Sequence, residues 1–248
     1  MPVPPAARII YPLLALAILL GVLDTCPHTV HGANPTIIVF EDLDQDGRRD
    51  RDEAPIPDTL IVSTFNVHGH YTHLGVLTDE KGEATINAEY THFFNVLVAP
   101  PCGYRSTTET RFKPENARRL EVGFAPEAPR TGTATVRLHL WQDEMANGEQ
   151  DDGESPLADQ TIYVDISEED GHLLSGCVLE ARTDADGWAT LQLGNSCGTV
   201  WLRVPDGWST PADLVEREWQ AVTYDLGETT IEWGLEPITR PATETPEG

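Results

Sequence analysis

Asp42 to Glu53, DLDQDGRRDRDE, places carboxylates at positions 1, 3, 5, 9 and 12 of a twelve-residue run: Asp42, Asp44, Asp46, Asp50 and Glu53. Gly47 stands at position 6, and the main-chain carbonyl of Arg48 falls at position 7. Hard oxygens at this spacing can replace the water around Ca²⁺, while glycine allows the sharp turn that aims them inward. Like charges this close repel unless something positive holds them. The pattern therefore predicts a calcium loop, set against the simpler account of a solvated acidic loop.

Other groups carry less chemistry. His68 and His70 of HGHYTH, with His92 beyond, would share one side of a strand and suit a transition metal, but they lack a cage spacing and also fit a polar exposed hairpin. HExxH does not occur, and no carboxylate pair stands apart from the acidic loops, so catalysis is not expected. The chain has 41 acidic and 16 basic residues, a formal net charge of −25. That disfavours nucleic acid, whose phosphates need a basic surface, and favours metal cations or basic partners.

The elements that must position the loop lie beyond residue 32. Residues 1–32 read as a signal peptide or membrane anchor: Ile9 to Leu23 is an apolar run of 15 residues, short for a span of about 20, and it contains Pro12. A cut after Gly32 fits the preference for small residues, and LDTC at Leu23 to Cys26 fits a lipoprotein box poorly. Any membrane contact is expected through this segment alone, and the rest is expected outside the cytoplasm. Four cysteines agree with export.

An internal repeat organises the remainder. Phe40 to Val62 aligns without a gap on Trp141 to Tyr163, pairing Asp42 with Asp143, Gly47 with Gly148 and Glu53 with Glu154. TDEKGEATI (Thr78 to Ile86) matches TDADGWATL (Thr183 to Leu191), and VGFAP (Val122 to Pro126) matches WGLEP (Trp233 to Pro237). Between such blocks the chain reads as short β-branched strands and turns, which predicts an all-β fold of two tandem β-sandwiches. The modules are expected at residues 34–126 and 133–238, joined by a semi-rigid linker at 127–132 and followed by a disordered tail at 239–248. TDEKG and TDADG read as hairpin turns. Hairpin pairing around TDADG puts Cys177 opposite Gly194, three residues short of Cys197, so a Cys177–Cys197 bridge is expected. Cys26 and Cys102 could pair only if the N-terminus is retained.

In order, the acidic loop, a strand, a TDxxG turn, a PPxGY/W turn and a closing GFxP strand resemble the B-type repeat of serine–aspartate-repeat surface adhesins, the SdrD B-like domain. That family sits within the Cna-B and prealbumin-like (Ig-like) sandwiches. The resemblance implies a calcium-stabilised, rod-forming spacer of a bacterial surface or secreted protein, without catalysis. Carried over by position, the ligands are Asp42, Asp44, Asp46, the Arg48 carbonyl, Asp50 and Glu53 in the first copy. In the second they are Asp143, Asn147, the Glu149 carbonyl, Asp151 and Glu154, with Met145, which has no oxygen, at position 3. The chain departs from the family in lacking a serine–aspartate stalk and an LPxTG-type sorting signal. Its two lysines, Lys81 and Lys113, are misplaced for the Lys–Asn isopeptide bond that some relatives carry.

All six tryptophans belong to the second copy. Trp141, Trp208 and Trp233 replace aromatic or apolar residues of the first copy, and Trp201 lies in an apolar strand, so these four read as core. Trp188 and Trp219 are left for an alternative function, stacking on sugars as a carbohydrate-binding module. An extracellular protein or glycan is the partner expected besides calcium.

Overall fold

The computed structural model describes residues 34–67, 70–86, 94–113, 118–166, 178–210 and 219–238, and the described residues contain strands and no helix. The segment at 1–32, the tail, His68, His92, Cys26 and Cys177 lie outside them. The first half carries β1 (Thr36–Glu41), β2 (Leu60–Val67), β3 (His70–Leu77), β4 (Glu83–Thr85) and β5 (Phe94–Val98). It continues with β6 (Tyr104–Ser106), β7 (Arg111–Phe112) and β8 (Arg119–Pro126). The second half carries β9 (Ala134–Gln142), β10 (Thr161–Asp165), β11 (Val178–Arg182) and β12 (Trp188–Gly194). It ends with β13 (Gly198–Arg203), β14 (Trp208–Ser209), β15 (Trp219–Tyr224) and β16 (Gly227–Pro237).

Two sandwiches result, with one topology. The first pairs a sheet ordered β4-β1-β8-β6 with one ordered β3-β2-β5-β7. The second repeats this strand for strand, as β12-β9-β16-β14 and β11-β10-β13-β15. In each, the first and last strands run parallel, β1 beside β8 and β9 beside β16, and the other pairs are antiparallel. Along β9 burial alternates over most of the strand, as expected where one face meets the core and the other meets solvent.

The TDxxG turns differ from the expectation. β3 and β4 lie in different sheets, as do β11 and β12, so each turn is an arch between sheets and no hairpin forms. Thr78 is buried where β3 leaves its sheet, and its hydroxyl accepts from Thr59 N (2.9 Å) and donates to Ile56 O (2.9 Å). Asp79 Oδ1 then accepts from Lys81 N and Glu83 N, both at 2.9 Å. Thr183 and Asp184 make the corresponding bonds in the second arch. A Cβ on Gly82 would lie 2.3 Å from Val39 O, so the arch needs glycine both for its positive φ and for this approach.

The cysteine expectation fails with the hairpin. Cys197 is bonded to Cys102, a sequence separation of 95, so the bridge joins the two sandwiches and does not lie within one. With β11 and β12 in separate sheets, the register that placed Cys177 near Cys197 does not exist.

The disulfide is one part of a broad joint. Leu60, Val62, Leu97 and Ala99 face away from the first core and merge with the hydrophobic core of the second sandwich, whereas Ile61, Val96 and Val98 face inward. A run such as LIV, apolar at every residue, supplies both faces. Asn195 N donates to Asp58 O (2.9 Å) and Asn195 Nδ2 to Pro57 O (2.8 Å), while Cys102 N donates to Asn195 O (2.8 Å). From the connector, Arg130 N bonds Cys102 O (3.1 Å), and its guanidinium grips Asp225 through two bonds of 2.7 and 3.1 Å. His73 bonds Thr64 Oγ1 (2.9 Å), faces Glu180 (3.6 Å) and meets Tyr163 edge-on. Desolvation in this joint pushes the imidazole pKa below its ordinary value, with the Glu180 charge opposing.

Candidate metal centre

Strand β1 delivers Asp42 to the end of the first sandwich, and the chain then turns through the acidic loop. Gln45 (φ 63°) and Gly47 (φ 75°) take left-handed conformations that fold the loop back on itself. Glu53 closes it, accepting Leu43 N on Oε1 and Asp50 N on Oε2, both at 2.8 Å. Asp44 Oδ1 accepts Asp46 N (3.1 Å), and Asp46 Oδ1 accepts Arg48 N (2.8 Å). These turns bring carboxylate oxygens of Asp42, Asp44 and Asp46 within 4.8 Å of one another.

Asp42 is the informative residue. It is fully buried, and its Oδ2 accepts Gly47 N (3.0 Å) and the Thr107 hydroxyl. Its Oδ1 is buried without any hydrogen-bond partner. A buried carboxylate oxygen left unpaired costs several kcal/mol by order of magnitude, unless a cation takes it. The residues present therefore fit a divalent cation. Asp50 adds to the case: desolvation raises its pKa, and the charges of Asp46, Asp44, Glu53 and Asp52 raise it further. A cation among these groups would reverse that repulsion.

Two supports were not foreseen from sequence. A Cβ on Gly123 of β8 would lie 2.8 Å from Asp42 Cβ and 2.7 Å from Thr107 Oγ1, so only glycine leaves room for the aspartate. Thr107 itself lies 65 residues from Asp42 in sequence. The GF block of the repeat was the available signal, and Gly234 stands equally close, 2.8 Å, to Asp143 Cβ.

The second loop keeps the backbone and changes the chemistry. Ala146 (φ 53°) and Gly148 (φ 74°) repeat the left-handed pair, and Glu154 repeats the clamp through Glu144 N (2.8 Å) and Asp151 N (2.9 Å). Both Asp143 oxygens are satisfied, Oδ1 by Asn147 N (3.3 Å) and Oδ2 by Gly148 N (2.7 Å). Asn147 Oδ1 accepts Glu149 N (2.8 Å), which turns its amide nitrogen onto Asp151 Oδ2 (2.8 Å). Met145 is 69% exposed and offers nothing inward. Among the described residues no trio of carboxylates converges in this loop.

The aromatic residues divide otherwise than expected. Trp141 and Trp233 are buried and Trp208 packs against the core. Trp201 is a correction: Val200 and Leu202 beside it are buried while it is half-exposed, so it lies on the outer face of its sheet, at one register with Ala221. Trp188 stacks on His139 (centroids 4.4 Å apart, planes 8° apart), with the Arg137 guanidinium 4.4 Å from its ring centroid. Its ring is already engaged within the protein. His73 of the histidine run belongs to the joint.

No protein-family model and no curated protein matches the chain. Among solved structures, it is similar to the minor pilin GBS52 of Streptococcus agalactiae, at 12% identity over 86% of this chain and 100% of that one, with a TM-score of 0.35. It is similar to the shaft pilin SpaA from Lactobacillus rhamnosus GG, at 12% identity over 85% of this chain and 99% of that one, with a TM-score of 0.29. A streptococcal ancillary pilin gives 14% identity over 84% of this chain and 63% of that one, with a TM-score of 0.35. Superpositions this loose leave the function to be read from the chain's own strands and loops.

Proposed function

We propose that this chain is an exported, non-catalytic spacer whose first sandwich, residues 34–126, is stabilised by calcium. The observation that carries the reading is the buried, unpartnered Oδ1 of Asp42, a residue whose carboxylate gathers within 4.8 Å of those of Asp44 and Asp46. Asp42, Asp44, Asp46, the Arg48 carbonyl, Asp50 and Glu53 would hold the ion. The set at Asp143, Asn147, the Glu149 carbonyl, Asp151 and Glu154 is the weaker site, since Asn147 presents a donor toward Asp151. Export through residues 1–32 agrees with the Cys102–Cys197 bond, which suits an oxidising compartment. An extracellular protein or glycan is the partner class such a spacer serves. The alternative of glycan binding loses support at Trp188, whose ring is stacked on His139, and rests on Trp219.

The test is calorimetric titration of the full chain with calcium. One tight site, lost in Asp42→Ala and retained in Asp143→Ala, is the expected result. Absence of any calcium heat would overturn the metal reading.

A further inference from the structure

We infer that the two sandwiches act as one tension-bearing unit, in which the terminal strands are loaded in shear and the Cys102–Cys197 bond withholds the middle of the chain from extension. This deepens the spacer reading and rests on strand topology, not on the calcium loop.

The argument begins with where a pull on the chain enters. Force from the N-terminal side arrives at the start of β1, whose residues Thr36 to Glu41 lie parallel to Arg119 to Phe124 of β8. β8 is held at its far end, Pro126, by the connector. Opposite ends of a parallel pair are thus pulled apart, and every bond of the ladder is loaded at once. The same holds at the other terminus. β16 is pulled from Pro237, while its parallel partner β9 is held from Ala134 by the connector, along a register from Gly227 beside Ala134 to Leu235 beside Gln142. An antiparallel pair pulled from adjacent ends would instead open one bond at a time.

The connector does not act as a free hinge between these two shear pairs. Glu127 N and Ala128 N both donate to Gly103 O, at 3.0 and 2.9 Å, and Arg130 holds Cys102 on one side and Asp225 on the other. Should the ladders fail, the covalent path between the ends runs through residue 102, across the disulfide and on from residue 197. The residues between, including β6 to β12, then form a closed loop that carries no tension. With a separation of 95 residues and about 3.4 Å per extended residue, roughly 320 Å of chain is withheld.

Stretching the full-length chain by handles at its two ends tests this, in calcium and again in chelator. The oxidised chain should reach full extension roughly 320 Å short of the reduced chain, and the Cys102→Ser/Cys197→Ser variant should match the reduced chain. The first rupture from the ends should need several-fold more force than rupture with handles at positions 58 and 80, which peels β3 from β2 starting at the Leu60–Leu77 end. Equal lengths before and after reduction, or an end-to-end rupture force no greater than the peeling force, would overturn the inference. Either result is read independently of calcium, so a failed metal titration leaves it intact.

Discussion

The two acidic loops share a backbone and differ in what they could hold. Left-handed residues recur at the fourth and sixth positions, Gln45 and Gly47 in one, Ala146 and Gly148 in the other. A glutamate clamp closes both. A glycine on the closing strand admits the first aspartate of each. None of these features needs an ion. Side-chain oxygens separate the loops: Asp42 keeps a buried oxygen unpaired, while Asp143 has both oxygens bonded and Asn147 turns a donor onto Asp151. Loop shape and the pairing of the side-chain oxygens are therefore separable properties of this repeat.

The largest expected effect breaks the comparison at its centre. In chelator Asp143→Ala removes a buried acceptor of two backbone N–H groups and should cost about 1–3 kcal/mol, whereas Asp42→Ala should cost less, because it also removes a buried oxygen that has no partner. In calcium at a hundredfold excess over its Kd, Asp42→Ala should lose about 2.7 kcal/mol more, and Asp143→Ala should not. Denaturant unfolding of both variants in the two buffers measures the difference. Next come Gly123→Ala and Gly234→Ala, which force a methyl group against Asp42 or Asp143 at a cost of about 1–3 kcal/mol each. Calcium titration should find affinity lowered only by Gly123→Ala.

The comparison can also be run in reverse. Met145→Asp with Asn147→Asp restores the missing oxygens and removes the amide donor, so the count of tight calcium sites should rise from one to two. In chelator the same change should cost a few tenths of a kcal/mol through added repulsion between exposed charges. The smallest effect concerns the joint. Burial holds the His73 pKa below the ordinary histidine value, so the unfolded chain takes the proton first as pH falls. The stability this neutral imidazole contributes is complete above about pH 6.5 and is lost as pH falls through the lower folded value. Melting temperatures between pH 7.5 and 5 should fall less steeply for His73→Gln than for the parent.

What could be read without coordinates follows from distance along the chain. The acidic loop was legible because every proposed ligand of the first site lies between Asp42 and Glu53, where loop geometry is local. The repeat made the shared topology legible as well. TDEKG and TDADG were misread because the same turn residues serve a hairpin and an arch. Which of the two forms depends on the partners of the flanking strands, here β2 with β3 and β1 with β4. The cysteine pairing fell with that misreading.

The sequence alone determined an all-β chain, its duplication and the backbone of the two loops, because alternation, glycine placement and carboxylate spacing act within a few residues. Tertiary structure decided which cysteines meet and that Leu60, Val62, Leu97 and Ala99 bury their outer faces against a second sandwich. It also decided that Thr107 and Gly123 seat Asp42. These contacts join residues far apart in the chain, and they form only once sheet order has brought them to the same place.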